Sequence, residues 1–137
     1  MKSTRLMRLA LCDATLAFAG VAAAASPLAG KYQDFEAVLR LRNVQAPAEL
    51  YTEDGEILPP NSPRIQGRAG IAAYFKGMID AGFSLELTPM DEWIEGRMAV
   101  RSGSFSVLKD GKEVDRGKWM EVWNRRADGN WLMLRDM

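Results

Sequence analysis

Histidine is absent from this 137-residue chain, and cysteine occurs once, as Cys12. The commonest zinc ligand and the commonest proton-transfer group at neutral pH are therefore missing, and a lone thiol forms no thiolate cluster. Neither a metal nor any other cofactor is expected, and catalysis would fall to carboxylates, Tyr, Lys or Arg. Net charge is lacking too: 18 Lys and Arg stand against 18 Asp and Glu. That removes the basic footprint on which nucleic-acid binding depends. Long apolar runs are also missing. The stretch from Leu9 to Ala25 is interrupted by Asp13 and falls short of the roughly 20 residues a membrane span needs, so no stable span is expected.

What is present begins with a leader. Lys2, Arg5 and Arg8 precede the apolar stretch, which ends in the small residues Ala23-Ala24-Ala25. This is the order of a cleavable secretory signal, so residues 1–25 are expected to be removed and 26–137 to form one domain, periplasmic or secreted. Leu9-Ala10-Leu11-Cys12 is a poor lipoprotein box, because Leu11 is bulky where a small residue is wanted. The leader takes three basic residues but only Asp13 with it, leaving a mildly acidic, cysteine-free domain that must stand on its apolar core.

The remainder divides into helices first and strands afterwards. Apolar residues from Tyr32 to Arg42 recur at three- and four-residue intervals and predict a helix. Asn43 is placed to cap a short second helix reaching Tyr51, with Asp54-Gly55 ending it and Glu56-Ile57-Leu58 forming a brief strand before Pro59-Pro60. Gly67-Arg68 opens a third helix with Ile71, Tyr74, Phe75, Met78 and Ile79 on one face, closed by Gly82. Four strands follow, Phe83 to Glu95, Met98 to Leu108, Glu113 to Arg126 and Trp131 to Met137, separated by Glu95-Gly96, Asp110-Gly111 and Asp128-Gly129. Such turns predict an antiparallel meander, and the order of elements predicts an α+β domain with helices on one face of the sheet.

Leu50 to Pro60, followed by Ile65-Gln66-Gly67-Arg68-Ala69-Gly70-Ile71, resembles the signature segment of the SnoaL-like and ketosteroid-isomerase-like proteins of the nuclear transport factor two-like superfamily. Gly117-Lys118-Trp119 to Arg125, and Asp128-Gly129-Asn130-Trp131 to Asp136, resemble the last two strands of its poorly characterised branch. The resemblance implies a cone-shaped roll: a strongly curved mixed or antiparallel sheet wrapped by about three N-terminal helices, enclosing a pocket, in a homodimer. Fold transfers more safely than function. Steroid isomerisation requires a carboxylate base, a Tyr and a neutral carboxylic acid. By the same resemblance these fall at Pro59, Phe35 and near Trp119, none of which can do the work.

The resemblance implies instead a pocket lined by Phe35, Tyr51, Leu58, Phe105, Trp119 and Trp123, suited to an apolar or aromatic small molecule. Arg101, Glu121 and Asp136 would converge among these aromatics. There Asp136 or Glu121 could serve as general acid or base, and Arg101 could hold an oxygen anion, or the three could simply satisfy one another as a buried ion pair. Three readings remain open: a binding protein for a small molecule, a lyase, cyclase or isomerase, and a non-catalytic dimerisation module.

Overall fold

The computed structural model describes residues 25–137, the side chain of Tyr32 excepted. Three helices, α1 (Lys31–Arg40), α2 (Ala46–Glu49) and α3 (Gly67–Asp80), accompany six strands: β1 (Tyr51–Ile57), β2 (Ile65–Gln66), β3 (Phe83–Glu95), β4 (Met98–Lys109), β5 (Lys112–Arg125) and β6 (Trp131–Asp136). They form one mixed sheet in the order β2-β1-β6-β5-β4-β3, antiparallel throughout except where β1 runs parallel to β6. The sheet is open, and the α+β class expected from the order of elements is what the structure shows.

The long hairpins follow from local chemistry. Asp110 and Gly111 both take positive φ, 51° and 74°, the two-residue turn whose twist matches that of its flanking strands. After β5 the Asp128 carboxylate accepts the Asn130 amide at 2.9 Å, and Gly129 adopts φ 90°. Ahead of α2, Asn43 Oδ1 accepts the Gln45 and Ala46 amides, and Pro47 sits in the first turn where its missing N–H is not needed.

The second helix is shorter than expected. It stops at Glu49, and Tyr51, predicted to end it, instead opens β1. That strand bulges heavily: Tyr51 pairs with Met133 but Glu56 with Arg135, so the residues between them leave the ladder. Gly55 permits the detour, since a Cβ there would lie 2.9 Å from Tyr51 Cβ. The polar run Thr52-Glu53-Asp54 thus hides a strand that alternation does not reveal, and the two-residue β2 is too short to carry any alternation.

Helix α3 packs on β1 and β2 near one edge of the sheet and also on β3 at the other, while α1 covers β3. The sheet curves to meet both. Two cross-strand pairs shape that curve. Trp119 lies over Gly103, directly opposite it, and Phe105 lies over Gly117. Added Cβ atoms would fall 2.4 Å from the Trp119 ring and 2.6 Å from the Phe105 ring. Beneath the helices, Leu28, Phe35, Leu39, Ile71, Phe75, Ile79, Trp123 and Met133 form the core, each worth roughly 1.5–3 kcal/mol of burial. Phe75 anchors it, with Phe35 edge-on at 5.1 Å and Tyr74 at 5.3 Å.

Two substitutions read this packing with opposite sign. Gly103→Ala should lower unfolding free energy by about 1–3 kcal/mol through overpacking. Gly77→Ala, on the exposed side of α3 with nothing within 4 Å of the added Cβ, should raise it by about 0.5–1 kcal/mol. Urea denaturation of both variants checks the pair, and a neutral Gly103→Ala would show that Trp119 does not need the glycine.

Candidate functional site

Between α1, α3 and the concave face of the sheet lies a cavity of about 180 Å³. Its walls are chiefly apolar: Phe35 from α1, Phe75 and Met78 from α3, Ile57 and Leu58 at the end of β1, Leu85 and Leu87 from β3, Phe105 and Val107 from β4, and Trp119 from β5. Three carboxyls line it from the sheet: Glu121 and Asp136 within, and the exposed Asp115 at its rim.

Backbone pairing explains how Glu121 and Asp136 meet. Met120 and Met137 exchange both main-chain hydrogen bonds, at 2.8 and 3.0 Å. The next pair, Glu121 opposite Asp136, is therefore of the non-hydrogen-bonded kind, in which side chains stand closest. Strict alternation along β6 would put Leu134 on the face with Asp136. Instead β6 slips one residue between Met133, opposite Trp123, and Arg135, opposite Val122. The slip carries Met133 into the core and Asp136 into the cavity wall, to which Leu134 does not contribute.

Each carboxyl is held from behind. Tyr51, fully buried, donates its hydroxyl to Asp136 Oδ2 at 2.6 Å. Arg68 at the start of α3 fixes the Tyr51 carbonyl with two hydrogen bonds of 2.9 and 2.7 Å. Trp123 Nε1 donates to Glu121 Oε2 at 2.8 Å. Arg101 Nη1 stands 3.7 Å from the same oxygen, and its Nε lies 3.3 Å from Glu92 Oε2. The guanidinium is flanked by the rings of Trp119 and Trp123, each 5.9 Å from Cζ.

Burial dominates the electrostatics. It pushes the Asp136 carboxyl up to about 6 against the opposing pull of the Tyr51 hydrogen bond. It pushes Glu121 up to about 7, helped by the charge of Asp136 and resisted by Trp123 and Arg101. Tyr51 is raised well above the ordinary phenol range by burial and then by Asp136, and Tyr74 moves the same way for the same reasons. The charge of Asp136 acts on Glu121, so the two carboxyls, opposite one another on β5 and β6, both hold their protons near neutrality.

Of the six residues expected around a pocket, Phe35, Leu58, Phe105 and Trp119 stand in the cavity wall. Tyr51 and Trp123 lie behind it as hydrogen-bond donors to the carboxyls. Among the three charged residues, Glu121 and Asp136 reach the cavity, while Arg101 sits behind Glu121, 3% exposed. Pro59 lines the cavity along with Phe35 and Trp119, so the three positions aligned with the isomerase groups surround one space. In the sequence Tyr74, Phe75 and Met78 show only the apolar stripe of a helix, which is also how a helix face lining a cavity looks. Among the described residues no cluster of His, Cys, Asp and Glu could hold a metal, and no helix is long and apolar enough to cross a membrane.

A family model described as a SnoaL-like domain matches residues 32–132. Among solved structures, a nuclear transport factor two-like protein with a cystatin-like fold from Novosphingobium aromaticivorans is similar at 22% identity and TM-score 0.68, over 77% of this chain and 73% of that one. A putative calcium/calmodulin-dependent protein kinase II association domain from Xanthomonas campestris is similar at 26% identity and TM-score 0.65, over 80% of this chain and 81% of its own. A ketosteroid isomerase-like protein from Erwinia carotovora atroseptica shares 15% identity at TM-score 0.64, over 80% and 89%. No curated protein matches the sequence.

The raised carboxyls have a consequence for stability. Each retains in the folded protein a proton that the unfolded chain releases near pH 4, so their stabilisation is complete below that pH and lost as pH rises through 6 to 7. Asp136→Asn and Glu121→Gln should each flatten the fall in unfolding free energy between pH 5 and pH 8, by on the order of 1–3 kcal/mol. Urea midpoints at the two pH values measure it, and variants that track the wild type at both would contradict the assignment.

Proposed function

The chain belongs to the SnoaL-like domain family, and from that premise we propose that it binds an apolar small molecule whose one polar group meets Glu121 and Asp136. The observation that carries this reading is an apolar cavity with a carboxyl pair in its wall. Small-molecule sites have this composition: mostly apolar walls and a few polar groups that fix orientation. Thermal denaturation of the full chain against aromatic and alicyclic compounds tests it, because a ligand at 100 times its dissociation constant adds about 2.7 kcal/mol. Leu87→Trp, which puts an indole where the cavity is, should abolish the shift; a screen without any shift would sink the proposal.

The proton affinities favour a second reading, acid–base catalysis on the bound molecule. A carboxyl near 6 and another near 7 can accept and return a proton at neutral pH, which suits an isomerisation, an elimination or a cyclisation. Asp136 is the base, held by Tyr51, and Glu121 is its acidic partner, positioned by Trp123 and Arg101. With Pro59, Phe35 and Trp119 at the isomerase positions, the chemistry differs from that of steroid isomerases. On this reading Asp136→Asn loses about 100-fold or more in turnover while ligand affinity persists, whereas unchanged turnover would exclude Asp136 as the base.

The domain is further proposed to work as a homodimer after export. Trp93, Met98, Val100 and Met120 expose apolar surface on the outer face of β3, β4 and β5, where Trp93, Val100 and Val122 stand in register. Leu28, fully buried, would survive cleavage after Ala25. Native mass spectrometry of protein recovered from the periplasm or medium reads both claims. A dimer of subunits beginning at Ser26 is expected; a monomer, or an intact Met1, would contradict one of them.

A further inference from the structure

The charge of the ligand's polar end can be assigned as well. Building on the binding reading above, we infer that the cavity selects a hydrophobic amine: one ammonium group on an apolar skeleton about the size of a six-membered ring. The ionisable groups in the described wall are Asp115, Glu121, Asp136 and Tyr74, all of them acids, with neither Lys nor Arg among them. Arg101 is set behind Glu121 and divided between that residue and Glu92, so counting it still leaves an excess of negative charge. A carboxylate ligand would meet repulsion here, and a neutral one would leave the excess negative charge unmatched.

The carboxyls supply the acceptors such a ligand needs. Trp123 donates to Glu121 Oε2 and Tyr51 to Asp136 Oδ2, and each carboxylate has further lone pairs to offer. An ammonium carries three donors and no acceptor, so it matches a wall whose polar groups are carboxyls. The aromatic walls, Phe35, Tyr74, Phe75 and Phe105, favour a cation through their ring faces and fit an apolar skeleton. A volume of about 180 Å³ is on the scale of the roughly 150 Å³ engineered cavity that accepts benzene. The elevated proton affinity of both carboxyls agrees, since a neighbouring cation would relieve the cost of ionising them.

Isothermal titration of the full chain at pH 7.4 with three matched probes, cyclohexylmethylamine, cyclohexylmethanol and cyclohexanecarboxylate, separates this inference from the binding reading. The amine should bind at least 10-fold more tightly than the alcohol, and the carboxylate more weakly than either. Asp136→Asn and Glu121→Gln, each checked for native melting, should weaken the amine several-fold more than the alcohol. An alcohol or carboxylate that equals the amine in the wild type overturns the amine assignment and leaves the binding reading standing. Failure of all three probes to bind overturns both.

Discussion

Glu121 and Asp136 face one another across a pair of neighbouring strands, inside an apolar space, and much of the interior exists to make that juxtaposition tolerable. Two carboxyls there cost desolvation and mutual repulsion. The protein offsets this with two hydrogen-bond donors, Tyr51 and Trp123, with the charge of Arg101 3.7 Å from Glu121, and with a proton retained near neutral pH. Each of the three is tied in turn to another layer of the fold. Tyr51 is held by Arg68 from α3, Trp123 lies in the core, and Arg101 is braced by Glu92 on the next strand. The parallel run of β1 beside β6 is what brings the Tyr51 hydroxyl within 2.6 Å of Asp136.

Curvature supplies the room around the pair. Glycines opposite Trp119 and Phe105 let both rings lie across the neighbouring strand, and Trp119 is anchored by its indole N–H to the Ser104 carbonyl at 2.9 Å. The same two rings then form part of the cavity wall. Sheet geometry and pocket shape thus rest on the same residues, and a change at Gly103 or Gly117 would alter both. On the helical side, the apolar stripe of α3 divides its duties: Ile71 and Ile79 close the core, while Tyr74 and Met78 face the cavity.

How much of this was legible in the sequence depended on whether local chemistry decided the outcome. Asp110-Gly111 marks its turn because few other residues accept positive φ twice in succession, and the bounds of β3 to β5 follow from such turns to within a residue or so. Helix α3 announced itself by its apolar spacing. The bulges did not. Neither the detour from Tyr51 to Glu56 nor the slip at β6 has a residue pattern of its own, because both are imposed by pairing with a neighbouring strand. The resemblance, which strand alternation permits, puts Arg101, Glu121 and Asp136 on one face, but it does not tell that Arg101 stands behind the cavity, with Glu92 as a partner. The resemblance to SnoaL-like proteins covered what periodicity could not, namely the curvature and the pocket, and it pointed to a family in which a shared frame carries different chemistries.

Two carboxyls hold their protons near neutral pH because the fold encloses them together in an apolar space. Carboxyl-carbon NMR of the protein, titrated from pH 3 to pH 9 with Asp136→Asn and Glu121→Gln as assignments, reads this directly. Midpoints near 6 for Asp136 and near 7 for Glu121, each shifting when the other is neutralised, are the predicted result. Two independent midpoints near the ordinary carboxyl value of about 4 would show that the pair is solvated and uncoupled, and would contradict it.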